Sequence, residues 1–227
     1  QHSAAATRPE ITMRQLFVIS SALMLAGSAS AQALNESFDT STSGVFPPAG
    51  WAVTVLPGQV APDTWVDTSL TSFSGMTAGS VSLADAAGHD YTTLGMSDNR
   101  LESPAMDLSS FGNPQLTYDG SLGYYNWMSH TSTYFGESHI EVSTDGGATW
   151  STVWQEAAMN NYNSTALVED LTATAANQAS VMVGFRYAGD FAHEWGIDNV
   201  IVDNVGPAGP ALAISGSCPG AVSLDAS

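Results

Sequence analysis

The chain has 227 residues with no lysine, four arginines and 22 acidic residues, a net charge of −18. Phosphate neutralisation needs clustered Lys and Arg, so nucleic acid is excluded as a partner. With Cys218 as the single cysteine, no disulfide staples the main domain, and stability rests on its core and any bound metal.

Residues 1–12 read as an upstream extension before Met13. Met13-Arg14, the apolar run Leu16 to Gly27 and the small-residue pattern Ala29-Ser30-Ala31 read as a secretory signal peptide over 13–31. That run is too short for a membrane span, and no later run approaches the ~18 apolar residues of one. In the remainder only Arg100 and Arg186 stand against the acids. With two arginines available, most buried carboxylates there need hydrogen bonds or a bound cation, and hard oxygen ligands suit Ca²⁺.

Short strands follow in order: Leu34 to Asp39, Trp51 to Leu56 after the Pro47-Pro48-Ala49-Gly50 turn, Arg100 to Ser103, Gln115 to Leu122, and His139 to Ser143. Val181, Val183, Phe185 and Tyr187 form the cleanest alternation. Trp195 to Asp203 closes the series. Thr165 to Gln178 is the one helical patch. The pattern predicts an all-β, antiparallel jelly-roll β-sandwich over 32–204, a Pro/Gly linker at 205–210 and the truncated start of a second module at 211–227.

In Trp195 to Asp203, Val200 and Val202 share a face with Asp198 by strict alternation, yet Ile197 and Ile201 are apolar in the opposite phase. Either phase fits the sequence. A carboxylate at a core edge must be paired, metal-bound or protonated.

Ser143-Thr144-Asp145-Gly146-Gly147-Ala148-Thr149-Trp150 has the Asp-box form S-x-D-x-G-x-x-W, a hairpin in which Asp145 bonds its own turn and Trp150 packs beneath. Catalytic templates fail. His193-Glu194 has Ile197 where a zinc-protease helix places its second histidine, and Gly95-Met96-Ser97-Asp98-Asn99 is not a nucleophile elbow. The histidines of the mature chain have no metal-ligand spacing. Tyr125 and Trp127 are candidate ligand-binding aromatics, able to stack on sugar rings or anchor a protein, and they fit equally a buried strand.

Seven segments in order resemble the choice-of-anchor J or cleaved-adhesin domain family, which is similar to the MAM fold. They are Glu36-Ser37-Phe38-Asp39, Phe46-Pro47-Pro48-Ala49-Gly50-Trp51, Trp65, Arg100 to Leu108, Leu116-Thr117-Tyr118, Glu141 to Trp150 and Trp195 to Val200. The resemblance implies a jelly roll without a catalytic centre and with structural calcium. It assigns calcium carboxylates to Asp39 and Asp198, with Asp90 and Asp98 as further candidates, and it favours the phase with Val200 and Val202 inside. Asn199 stands where a second acid is common.

The function expected is a secreted or cell-surface, non-catalytic module for adhesion or ligand binding, stabilised by structural Ca²⁺, with an extracellular protein or glycan as ligand. The alternative is a carbohydrate-binding accessory module of a larger secreted enzyme. A hydrolase in its own right ranks third, because no catalytic constellation emerges from the residues.

Overall fold

The computed structural model describes residues 32–39, 45–68, 87–89, 95–124, 136–156, 162–190, 193–206, 212–216 and 222–226. Residues 1–31, with the expected leader, lie outside these, as do Asp90, Tyr125 and Trp127. One sheet runs β3 (Val66–Asp67), β4 (Ala87–His89), β11 (His193–Asn204), β6 (Pro114–Tyr124), β9 (Tyr162–Asp170), with β1 (Gln32–Glu36) also on β11. The other runs β2 (Ala52–Val55), β5 (Met96–Glu102), β10 (Met182–Asp190), β7 (Gly136–Ser143), β8 (Ser151–Glu156). All these pairings are antiparallel.

Alternation builds the layer between them. Val183, Phe185 and Tyr187 of β10 are buried on one face, as are Leu116, Tyr118 and Leu122 of β6. The two faces meet through aromatic rings. Phe185 packs edge-on against Tyr118 at 5.9 Å and Trp195 at 6.0 Å, and Trp65 against Trp195 at 5.3 Å. The architecture is a β-sandwich, as the short alternating strands predict.

The sequence reading misses β3, β4, β8 and β9, and its helical patch contracts to one turn. β9 occupies Tyr162–Asp170, and α1 spans only Thr172–Ala175. A bulge explains why β9 hides. Tyr118 pairs with Leu167 but Gly120 with Ser164, so two residues, Thr165 and Ala166, face one, and the alternation breaks there. Beyond residue 206, β12 (Leu212–Gly216) and β13 (Val222–Ala226) form a separate two-stranded sheet. Among the described residues no helix is long and apolar enough to cross a membrane.

Candidate functional site

β11 resolves its two competing phases by breaking register. Asp198 pairs with Asp119 of β6, but the next pair is Ile201 with Thr117, so Asn199 and Val200 together face Tyr118. Asn199 takes the left-handed conformation such a bulge needs, with φ +49°, which Asn tolerates better than most residues. Trp195 and Ile197 before the bulge, and Val200 and Val202 after it, are therefore all buried. The expectation that Asp198 shares a face with Val200 is corrected by this bulge. Asp198 follows inward Ile197 and lies on the outer side of its sheet, opposite Asp119, while remaining only 9% exposed.

Two like charges directly opposed on neighbouring strands repel. The bulges on either side supply hydrogen bonds instead of counter-charges. Asp119 Oδ1 accepts from the Ala166 N–H at 2.7 Å and Oδ2 from Asn199 Nδ2 at 3.0 Å. Asp198 Oδ1 accepts from the Asn199 N–H at 2.7 Å. Asp119 thus ties the β9 bulge to the β11 bulge. Sequence reasoning missed it; a lone Asp in the outward phase of the alternating strand Leu116 to Leu122 is the available signal.

β6 covers one edge of β11 throughout, so β1 and β4 share the other, β4 against Trp195–Ile197 and β1 against Val200–Asp203. β1 ends with Glu36 opposite Val200, so Ser37 to Asp39 leave the ladder at the level of Asn199 and Asp198. Phe38 turns that exit inward. It is fully buried at φ +52°, held by its N–H donating to Glu36 Oε1 at 2.9 Å and by edge-on packing on Trp51 at 4.9 Å. That leaves Asp39 exposed, its Oδ2 accepting from the Ser37 hydroxyl at 2.8 Å. Two of the four predicted metal carboxylates, Asp39 and Asp198, thus belong to one junction. Of the strand that precedes Asp90, His89 pairs with Trp195, three positions from Asp198.

Asp98 belongs elsewhere, and its assignment as a metal ligand gives way to an ion pair. It lies on β5 in the opposite sheet, where Arg186 Nε and Nη2 donate to its two oxygens at 2.7 and 2.8 Å. The pair is part of a lattice on the outer face of that sheet. Arg186 of β10 lies between Arg100 of β5 and His139 of β7; Gly184 lies between Glu102 and Glu141, and Ala188 between Asp98 and Glu137. A basic row is thus framed by two acidic rows. Arg100 donates to Glu141 at 2.7 Å and to Glu102 at 3.1 Å; Arg186 reaches Glu141 at 3.5 Å; His139 pairs with Glu137 at 3.0 Å. The Asp98 hydrogen bonds, before any other cause, raise the Arg186 pKa above its already high value.

Gly184 is required in this lattice. A Cβ there would meet Arg100 Cδ at 2.4 Å and Trp150 Cζ3 at 2.8 Å, because the Arg100 stem and the Trp150 ring lie over it. Trp150 therefore does more than underpin its hairpin. Its Nε1 donates to the Gly147 carbonyl at 3.0 Å while the Arg100 guanidinium stacks 3.9 Å from its ring. Asp145 plays the local part expected of an Asp-box. It accepts from the Thr149 hydroxyl and N–H and from the Ser143 hydroxyl, and its pKa falls to about 2, chiefly through the Thr149 hydroxyl.

Among the described residues, no group of three or more His, Cys, Asp or Glu side chains could hold a metal ion. A hard cation at the β1–β11 junction would draw on Asp39 and Asp198, with backbone carbonyls and water completing the 6–8 oxygens calcium takes. The donor chemistry fits. Both are carboxylates, the hard oxygen donors calcium takes, and neither Arg100 nor Arg186 is in their sheet.

No protein-family model and no curated protein sequence matches the chain. Solved structures do. The K1 cleaved adhesin domain of Lys-gingipain from Porphyromonas gingivalis W83 aligns at 17% identity and TM-score 0.51, covering 78% of this chain and 100% of that one. The K3 cleaved adhesin domain of the same protein aligns at 17% identity and TM-score 0.50, over 77% and 98%. A family 22 carbohydrate binding module of Clostridium thermocellum Xyn10B is a looser match, at 12% identity and TM-score 0.41, over 78% and 97%. The chain has an adhesin-like β-sandwich fold.

Proposed function

We propose that this chain is a non-catalytic binding module of the adhesin kind, acting outside the cell, with a structural calcium ion at the junction of β1 and β11. The observation that carries the reading is whole-domain likeness in fold: the chain spans all of one cleaved adhesin domain and nearly all of another. The resemblance of Glu36 to Asp39 and of Trp195 to Val200 to that family's segments agrees with it. In support of the calcium, the junction joins the first and last strands of the sandwich through carboxylates on a sheet without an arginine. An ion shared by Asp39 and Asp198 would fasten the two ends of the domain together.

Binding is tested by presenting the purified domain to a glycan array and to immobilised extracellular proteins; retention on either supports the module, and glycan hits alone would assign it to the carbohydrate-binding class. Calcium is tested by thermal unfolding with and without chelator. A site held at 100 times its Kd adds about 2.7 kcal/mol, or about 5–10 °C for a domain of this size. Chelation should lower Tm by that order, and Asp198→Ala should abolish the response. Superimposable melting curves would overturn the calcium.

A further inference from the structure

The outer faces of the two sheets differ in a way that points to a partner. On the five-stranded sheet, Asp98, Glu102 and Glu141 are answered by Arg100 and Arg186 from the same face. On the six-stranded sheet the outward side chains form rows across β9, β6 and β11. Val168, Thr117 and Ile201 are register partners and make one row. Val168 is 53% exposed, and Ile201 is partly exposed although Val200 and Val202 on either side of it are fully buried. Two residues further along the strands on one side lie Asp170 and Asp203, both partners of Gln115; two residues along β6 on the other side lies Asp119. Neither arginine of residues 32–227 is in this sheet.

From this arrangement we propose that the outer face of the six-stranded sheet docks a cationic amphipathic helix of a protein partner. Its apolar face would lie along Val168 and Ile201, and its Lys or Arg side chains would reach the acids on both sides. The proposal rests on reading the domain as a binding module and names the chemistry of its partner. Charge and spacing agree. The two acidic rows are four residues apart along the strands, about 14 Å, and a helix with its side chains is about 10–12 Å across. A helix lying on the middle row therefore has acid on each flank. The apolar row supplies the burial, and the acids set orientation and approach.

The whole chain is acidic, so the experiment must separate this face from general attraction. The probe is a fluorescent 18-residue helix with Leu on one face and Lys on both flanks, compared with decalysine, by anisotropy at physiological salt. The Leu/Lys helix should bind at least tenfold more tightly than decalysine. The triple variant Asp119→Asn, Asp170→Asn, Asp203→Asn should weaken it at least tenfold, while a control of equal charge, Asp107→Asn, Asp145→Asn, Glu156→Gln, stays within threefold. Val168→Asp gives the sharpest discrimination. General electrostatics predicts tighter binding from the added charge, whereas apolar docking predicts a loss of about fivefold. Equal losses in the two triple variants, or unchanged or tighter binding by Val168→Asp, would overturn the docking face. The glycan and protein-binding screen judges the module reading separately, because it does not depend on this probe.

Discussion

The two sheets of this sandwich meet the same problem by opposite means. Each carries carboxylates on its outer side in a chain with almost no basic residues. The five-stranded sheet gathers both arginines into one row and surrounds them with Asp98, Glu102 and Glu141 at 2.7–3.5 Å. The six-stranded sheet has no arginine in its described strands, and amides at its two bulges bond Asp119 and Asp198. An ion pair satisfies charge internally and closes the face that bears it. An amide hydrogen bond satisfies geometry and adds no opposite formal charge. Within one domain, then, one face answers its carboxylates with arginine and the other with bulge amides.

Removing one acid from each sheet should expose that difference. Glu141 accepts from Arg100 and faces Arg186 while almost wholly buried. Glu141→Ala takes from Arg100 the shorter of its two carboxylate contacts, leaving Glu102, and should cost about 3 kcal/mol in denaturant unfolding, the low end for a broken buried pair. Asp119→Ala removes two hydrogen bonds from a partly exposed position and should cost about 1–3 kcal/mol. Equal losses would mean the lattice contributes no more than the bulges do. Gly184→Ala comes next. Its Cβ overlaps Arg100 and Trp150, so the guanidinium must leave the indole, at about 1–3 kcal/mol. Trp150 fluorescence should report the displacement; an unchanged spectrum with unchanged stability would show that the stack yields freely.

Particular residues show why the fold was more legible than the site. Val183, Phe185 and Tyr187 announce β10 because the strand is regular and half-buried. Alternation alone leaves the phase of β11 open, because one inserted residue, Asn199, turns the face over between two apolar stretches. The start of β5 looked polar, yet Asn99 faces the core. Its Nδ2 donates to Gln59 Oε1 and the Asp63 carbonyl, partners contributed by a loop some 40 residues earlier. The ionic lattice has the same character. Arg186 and Asp98 are 88 residues apart, and Arg100 and Glu141 are 41 apart. Counting two arginines correctly implied that few carboxylates could be paired, but register alone decides which. The resemblance names Asp98 as a metal candidate, yet register gives it to Arg186, and no sequence motif singles out Asp119, bonded to two bulges.

The smallest effect concerns the turn between β7 and β8, at the end of the ionic sheet. Asp145 sits there in full contact with water, so its contribution comes from its hydrogen bonds with Thr149 and Ser143 and not from burial. Its folded pKa, about 2, lies below the ordinary 3.8, so the ionised form favours the folded state. That stabilisation is complete above the unfolded value and disappears as pH falls through the folded one. Asp145→Asn keeps an acceptor but loses the charge. Its Tm should therefore fall below that of the wild type at neutral pH, and the gap should close between pH 3.8 and about 2. Glu169, on the inward side of edge strand β9, provides the opposing control. Burial raises its pKa, so it favours the fold when protonated, and Glu169→Gln should gain relative to the wild type as pH rises through that raised value. If the Asp145→Asn gap stayed constant across the acid range, the turn would depend on the shape of the side chain and not on its charge. The Asp-box would then act as a neutral clip for Trp150.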